Sequence, residues 1–192
     1  MLVSARDAAL ILQTVGVSRR HSIKALECGL AGAPRRSSAS WLFDLEAVWA
    51  LTNWPIAFRE DVDAVCPNGL FIAHRAVDAM APFAEQCRQA AGGWNLAPPT
   101  RLNLRVCLDR HGPIPFVVTV AGFVVLCADI IDLAPDGKLT HLSLQPAGGW
   151  AAAVAQHRAP SGPGNPWRLH NPHPHGRATA PPVRQPGQPL QP

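Results

Sequence analysis

The spacing of apolar positions changes character along the chain. In "SARDAALILQTVG" and "VSRRHSIKALECGL" apolar side chains return every three or four residues, which predicts two short amphipathic helices. Gly16 separates them and Ser18 is placed to cap the second. "NWPIAFREDVDAVCPNG" predicts a short helix and then a short strand ending at Pro67 and Gly69. A helix is expected from about Ala73 to Ala90, with Val77, Met80, Ala84 and Cys87 as its inner stripe and Pro82 bending or restarting it. After the "GGWNLAPPT" loop, "RLNLRVCL" alternates, with Leu102, Leu104, Val106 and Leu108 on one face and Asn103, Arg105 and Cys107 on the other. "IPFVVTVAGFVVLCADIIDL" is apolar on both faces and breaks only at Gly122, where a bulge or bend is expected. "APDGK" predicts a reversal and "LTHLSLQ" a returning strand. Helices followed by an antiparallel meander predict an α+β domain, with helices on one face of a curved sheet.

One residue interrupts this pattern. Asp129 lies inside the longest apolar run. Burying a lone ionised carboxylate costs several kcal/mol or more, so such a residue is protonated, partnered, or facing a cavity that holds something polar.

Composition narrows the classes. An apolar content of 47% over 192 residues fits one globular domain with a core plus extensions. Residues 159–192 hold half of the 20 prolines and few apolar clusters, so a disordered tail is expected there, with His170, His173 and His175 as solvated side chains. The five cysteines are odd in number, widely spaced and without a CxxC pair, which predicts free thiols and no metal site; no cofactor is implied. No window is apolar enough to span a membrane, and Asp7 lies where a signal peptide avoids acids, so a cytoplasmic location is expected. Charge is uneven: residues 1–36 carry six basic and two acidic side chains, residues 37–158 eight and eleven, residues 159–192 three and none. The middle is therefore a poor binder of phosphate backbones, and any nucleic-acid binding is expected through residues 1–36.

The N-terminal pattern resembles a helix-turn-helix of the excisionase type. "GVSRR" would open a recognition helix, "GAPRRSSASWLF" a wing and "FDLEAVWAL" a third helix. The resemblance implies that Arg19, Arg20, Arg35 and Arg36 meet phosphates or base edges of DNA. Residues 40–158 resemble a second family, the NTF2-like superfamily of SnoaL-type polyketide cyclases and ketosteroid isomerases, through "REDVDAVCPNG", "AHRAVDAM" and "ADIIDLAPDGKLTHLSL" in that order. That resemblance implies a basic helical extension over 1–36, an NTF2-like domain over 37–158 and the tail over 159–192. The domain would be a cone whose curved antiparallel sheet wraps helices around an apolar pocket.

In such a cone, Asp129 matches an acidic position that points into the pocket, where a protonated carboxyl could donate a hydrogen bond to a ligand oxygen. Asp63 is the candidate displaced base, because Cys66 stands where the isomerases carry theirs, and the chain has no tyrosine to serve as oxyanion donor. Trp41, Trp54, Cys66, Val77, Met80, Phe123, Val125, Cys127 and His141 are the candidate ligand contacts. The implied function is binding of a small hydrophobic, steroid- or polyketide-like molecule, with or without isomerase- or hydratase-type acid/base chemistry. A strand apolar on both faces further suggests a homodimer through the outer surface of the sheet. The DNA-binding reading competes with this one for "WLFDLEAVWAL".

Overall fold

A computed structural model describes residues 1–38, 40–57, 59–159 and 167–170. The chain begins with β1 (Leu2–Ser4), α1 (Ala5–Gln13), α2 (Arg19–Glu27), β2 (Arg35–Arg36), β3 (Trp41–Asp44) and α3 (Leu45–Thr52). Each helix starts at a residue that can cap it. Ser4 Oγ accepts from the Asp7 amide at 3.2 Å, Ser18 Oγ from the His21 amide at 3.4 Å, and Asp44 Oδ1 from the Glu46 amide at 2.8 Å. Gly16 sits between α1 and α2 with φ +80°, a left-handed conformation that a side chain would strain. The expected helix pair and the Ser18 cap are both present.

The strands form a three-stranded antiparallel sheet in the order β1-β3-β2. Ala8, Leu12, Val17, Ala25, Leu26, Phe43, Val48 and Leu51 close one core beneath it. This unit runs unbroken through Thr52, across the boundary anticipated at residue 36, because β3 pairs with both other strands and α3 packs on α1.

The rest of the described chain comprises α4 (Arg59–Val65), β4 (Leu70–His74), α5 (Phe83–Ala91), α6 (Pro98–His111), β5 (Ile114–Val120), β6 (Phe123–Asp136), β7 (Leu139–Pro146), a 3-10 turn (Gly149–Ala153) and β8 (Trp167–His170). The five-stranded sheet has the order β7-β6-β5-β4-β8. Strands β4 and β5 are parallel, joined through α5 and α6, and the other neighbours are antiparallel. The α+β class expected from the sequence is the class observed.

Four elements differ from expectation, each for a local reason. The short strand expected to end at Pro67 and Gly69 instead starts after them, at Leu70, with the residues before them in α4. "RLNLRVCL" lies within α6 rather than in a strand: Pro98 and Pro99 open a helix, and buried Leu104 with partly buried Cys107 and Leu108 forms an inward stripe at helical spacing while Leu102 is exposed. The helix expected over 73–90 is confined to α5. Pro82 occupies its N-cap position, and its ring excludes a helix arriving from before it. Val77 and Met80 therefore lie in the β4–α5 connection, the first buried and the second exposed. Gly122 marks a full reversal rather than a bend, with φ +56° at Ala121 and +91° at Gly122. The expected hairpin through "APDGK" is formed by β6 and β7.

Helices α5 and α6 cover one face of the large sheet, burying Phe71, Ala73, Phe116, Val118, Leu126, Ala128 and Ile130. Arg75 caps the end of α5 by donating to the carbonyls of Ala90 and Gly92, and its guanidinium lies 4.8 Å from the Trp94 ring centre. Helix α4 and the 3-10 turn cover the opposite face over Leu70, Ile72, Val117, Val124 and Cys127. The apolar faces of β6 thus both find cover within one chain. Trp167–His170, inside the stretch expected to be disordered, forms β8 on the β4 edge, where Trp167 stacks on Phe71 at 5.5 Å. Residues 160–166 and 171–192, the remainder of that expected tail, lie outside the described residues.

The two cores meet at Phe123. This first residue of β6 is fully buried in the N-terminal core, edge-on to Trp54 at 5.7 Å. Replacing Phe123 with alanine should cost about 3–5 kcal/mol in chemical denaturation. It should also split the melt into two transitions; a single transition at the wild-type midpoint would show that Phe123 does not join the units.

Candidate functional site

Helix α2 presents Arg19, Arg20, Ile23, Lys24 and Glu27 to solvent and keeps Ser22, Ala25 and Leu26 in the core. The β2–β3 hairpin follows, with Arg35 and Arg36 exposed and paired to Leu42 and Trp41. The Arg36 guanidinium lies 5.9 Å from the Trp41 ring centre, and that ring is half exposed. Helix α2 and a basic two-stranded hairpin are therefore built on one small core, and the outward residues of these two elements are largely cationic. Exposed apolar Ile23 sits between Arg20 and Lys24 on the outward side of α2.

On the α4 side of the large sheet, Asp63, Cys66, Cys127 and Asp129 come near one another. Burial pushes the Cys66 thiol up to about 12, with Asp129 and then Asp63 adding to the effect. Burial likewise takes Cys127 to about 12, reinforced by Cys66. Both are unreactive thiols at neutral pH. The Asp129 carboxylate is partnered. Its Oδ1 accepts from the Trp150 indole at 2.7 Å and its Oδ2 from the Gly148 amide at 3.0 Å. It fastens the segment after β7 to the sheet.

The same face holds a hollow of about 470 Å³ lined by Ala57, Val62, Leu70, Ile72, Val117, Val124, Val154, Ala159, Arg168, Leu169 and His170. Asp63 Oδ1 on α4 and His170 Nε2 form a hydrogen bond of 2.5 Å that ties α4 to β8. His74, at the end of β4, lies 2.7 Å from the Thr119 hydroxyl. Its imidazole is held below the usual range, first by burial and second by the Arg168 guanidinium. Among the described residues no cluster of His, Cys, Asp and Glu could hold a metal, and no helix is long and apolar enough to cross a membrane.

The structure distributes the anticipated ligand contacts. Trp41 is on the β2–β3 hairpin, while Trp54 and Phe123 belong to the N-terminal core. Val77 packs under α5 and α6, and Met80 is in an exposed turn. Val125 occupies a β-bulge that moves it to the α5–α6 side, away from Cys127 and Asp129. His141 faces out, 3.5 Å from Asp136. Arg105 and Asp132 meet at 2.8 Å on the surface, linking α6 to β6 and holding the Asp132 carboxyl below its usual range. Sequence reasoning missed the hollow because Arg168 and His170, alternating in "WRLH", lie among prolines.

No protein-family model matches the chain, and neither the curated proteins nor the solved structures give a significant match.

Two stability measurements check this geometry. Asp129→Ala strands an indole N–H and a backbone N–H and should cost about 1–3 kcal/mol in denaturant titration. Loss of the native Trp150 fluorescence environment should accompany it, and an unchanged midpoint would refute the clasp. His74 binds a proton more readily in the unfolded chain, so the unfolded state takes up protons first as the pH falls. The His74 contribution is thus fully present above about pH 6.5 and disappears as the pH drops through the lower folded value. Midpoints measured from neutral to mildly acid pH should fall, and His74→Gln should flatten part of that decline.

Proposed function

We propose that this protein binds duplex DNA through the winged helix-turn-helix formed by residues 1–52, with α2 entering the major groove and the β2–β3 hairpin lying along the backbone. The observation that carries the reading is the placement of Arg19, Arg20, Lys24, Arg35 and Arg36. All five are exposed, on the two elements that such a fold turns toward DNA. Ile23 supports direct base contact, since an apolar side chain flanked by cations on a recognition helix suits a thymine methyl group. Of the acidic residues of this unit, Asp7 and Glu46 lie on α1 and α3, Glu27 is the last residue of α2 and Asp44 the last of β3.

The cone and acid/base chemistry implied by the SnoaL-type resemblance have less support. The final hairpin is formed as that family would have it, but the donors to Asp129 come from the chain itself. A small-molecule role is better supported by the hollow on the α4 side.

Fluorescence anisotropy with labelled duplexes across a salt series tests the DNA reading. Binding should weaken with salt, and the slope of log K against log salt should drop by about two units when Arg19 and Arg20 are both changed to alanine. Ile23→Ala should leave that slope intact while relaxing preference among selected sequences. Duplex binding unaffected by the double arginine change would remove α2 as the contact surface.

A further inference from the structure

We propose that the hollow beneath α4 is a binding site for a small apolar monocarboxylate, with Arg168 as the residue that receives its charged head. The argument starts from the lining. Nine of the eleven residues around the hollow are apolar, supplied by α4, β4, β5, β6, β8 and the segment after β7. A body of about 470 Å³ lies within the size range of small-ligand sites. An aliphatic or flat hydrocarbon body would take this wall from water at little polar cost.

The polar part of the lining decides the head group. Arg168 pairs with Ile72, another lining residue, and so shares its face of the sheet with His170, while Trp167 and Leu169 pack against the core under α5 and α6 and Leu169 also borders the hollow. His170 is already engaged by Asp63. Arg168 is different: its Nε is buried, and no hydrogen-bond partner meets it among the described residues. A buried guanidinium nitrogen without an acceptor is unfavourable, and the geometry it fits best is the planar fork of a carboxylate. Arg168 is the one guanidinium among the lining residues, which suits a single negative charge. A phosphate or polyanion would call for more than one permanent cation, and among the lining residues Arg168 is the one such group.

Arg168 also faces His74 from the neighbouring strand, and their mutual repulsion depresses the His74 proton affinity. A bound carboxylate would offset that repulsion. The inference stands on residues separate from those of the DNA reading, so either can fail without the other.

Isothermal titration calorimetry of the full chain with octanoate and with octanol tests it. Octanoate should saturate one site with Kd below about 1 mM, and octanol should bind about tenfold or more weakly. Arg168→Gln should weaken octanoate about tenfold while leaving octanol unchanged. Ala57→Phe, which fills the hollow from its rim, should abolish both. Equal binding of octanoate and octanol, undiminished octanoate binding by Arg168→Gln, or no saturation in the wild type at about 1 mM would each overturn the proposal. Should Arg168→Gln unfold, as circular dichroism would show, Ala57→Phe decides alone: retained octanoate binding overturns the site.

Discussion

The burial of Phe123 is the contact on which the arrangement of the molecule depends. Its ring belongs by sequence to the first position of β6, yet by packing it belongs to the core of the N-terminal unit. The Ala121–Gly122 reversal makes this possible, since two consecutive positive φ angles turn β5 sharply into β6 and push the next side chain outward beyond the sheet. Trp54 meets the ring edge-on, and the Arg158 guanidinium lies 5.9 Å from its centre. Because a packed aromatic fills its site with little slack, Phe123 helps fix how α2 and the hairpin sit relative to the large sheet, together with the hydrogen bond from the Ala79 amide to the Cys28 carbonyl at 2.7 Å.

That sheet owes its form to having cover on both sides. Strands apolar on both faces need two covering layers, and the chain supplies α5 and α6 on one and α4 with the 3-10 turn on the other. The second layer is lighter, and two polar devices hold it. Asp129 secures the chain after β7 through Trp150 and Gly148, while Asp63 ties α4 to β8 through His170. Both carboxylates are buried and hydrogen-bonded, which is the condition under which buried acids persist. The hollow lies where this thinner layer leaves the sheet incompletely covered.

Much of the fold was legible. The two N-terminal helices, the Ser18 cap, the β6–β7 hairpin and the overall α+β class follow from periodicity and turn chemistry that act within a few residues. Legibility failed where two local signals conflicted. In "RLNLRVCL" the alternation of leucines pointed to a strand, but the Pro-Pro start and the absence of β-branched residues other than Val106 favour helix, and helix won. Around Val77 and Met80, an apolar stripe suggested a helix that Pro82 does not allow to begin before it.

The candidate sites divide in the same way. By itself the sequence determined the cationic side chains of α2 and the β2–β3 hairpin, because charge spacing and the Gly16 turn are local properties of the chain. It also determined that Asp129 must have a partner, because desolvation of a carboxylate in an apolar strand is costly wherever it occurs. Only the tertiary structure decided who that partner is, and only it brought Arg168 and His170 over α4 and β4, since both depend on contacts between residues far apart in the chain. Periodicity reports which way a side chain faces; the identity of what it faces is set by how the layers close.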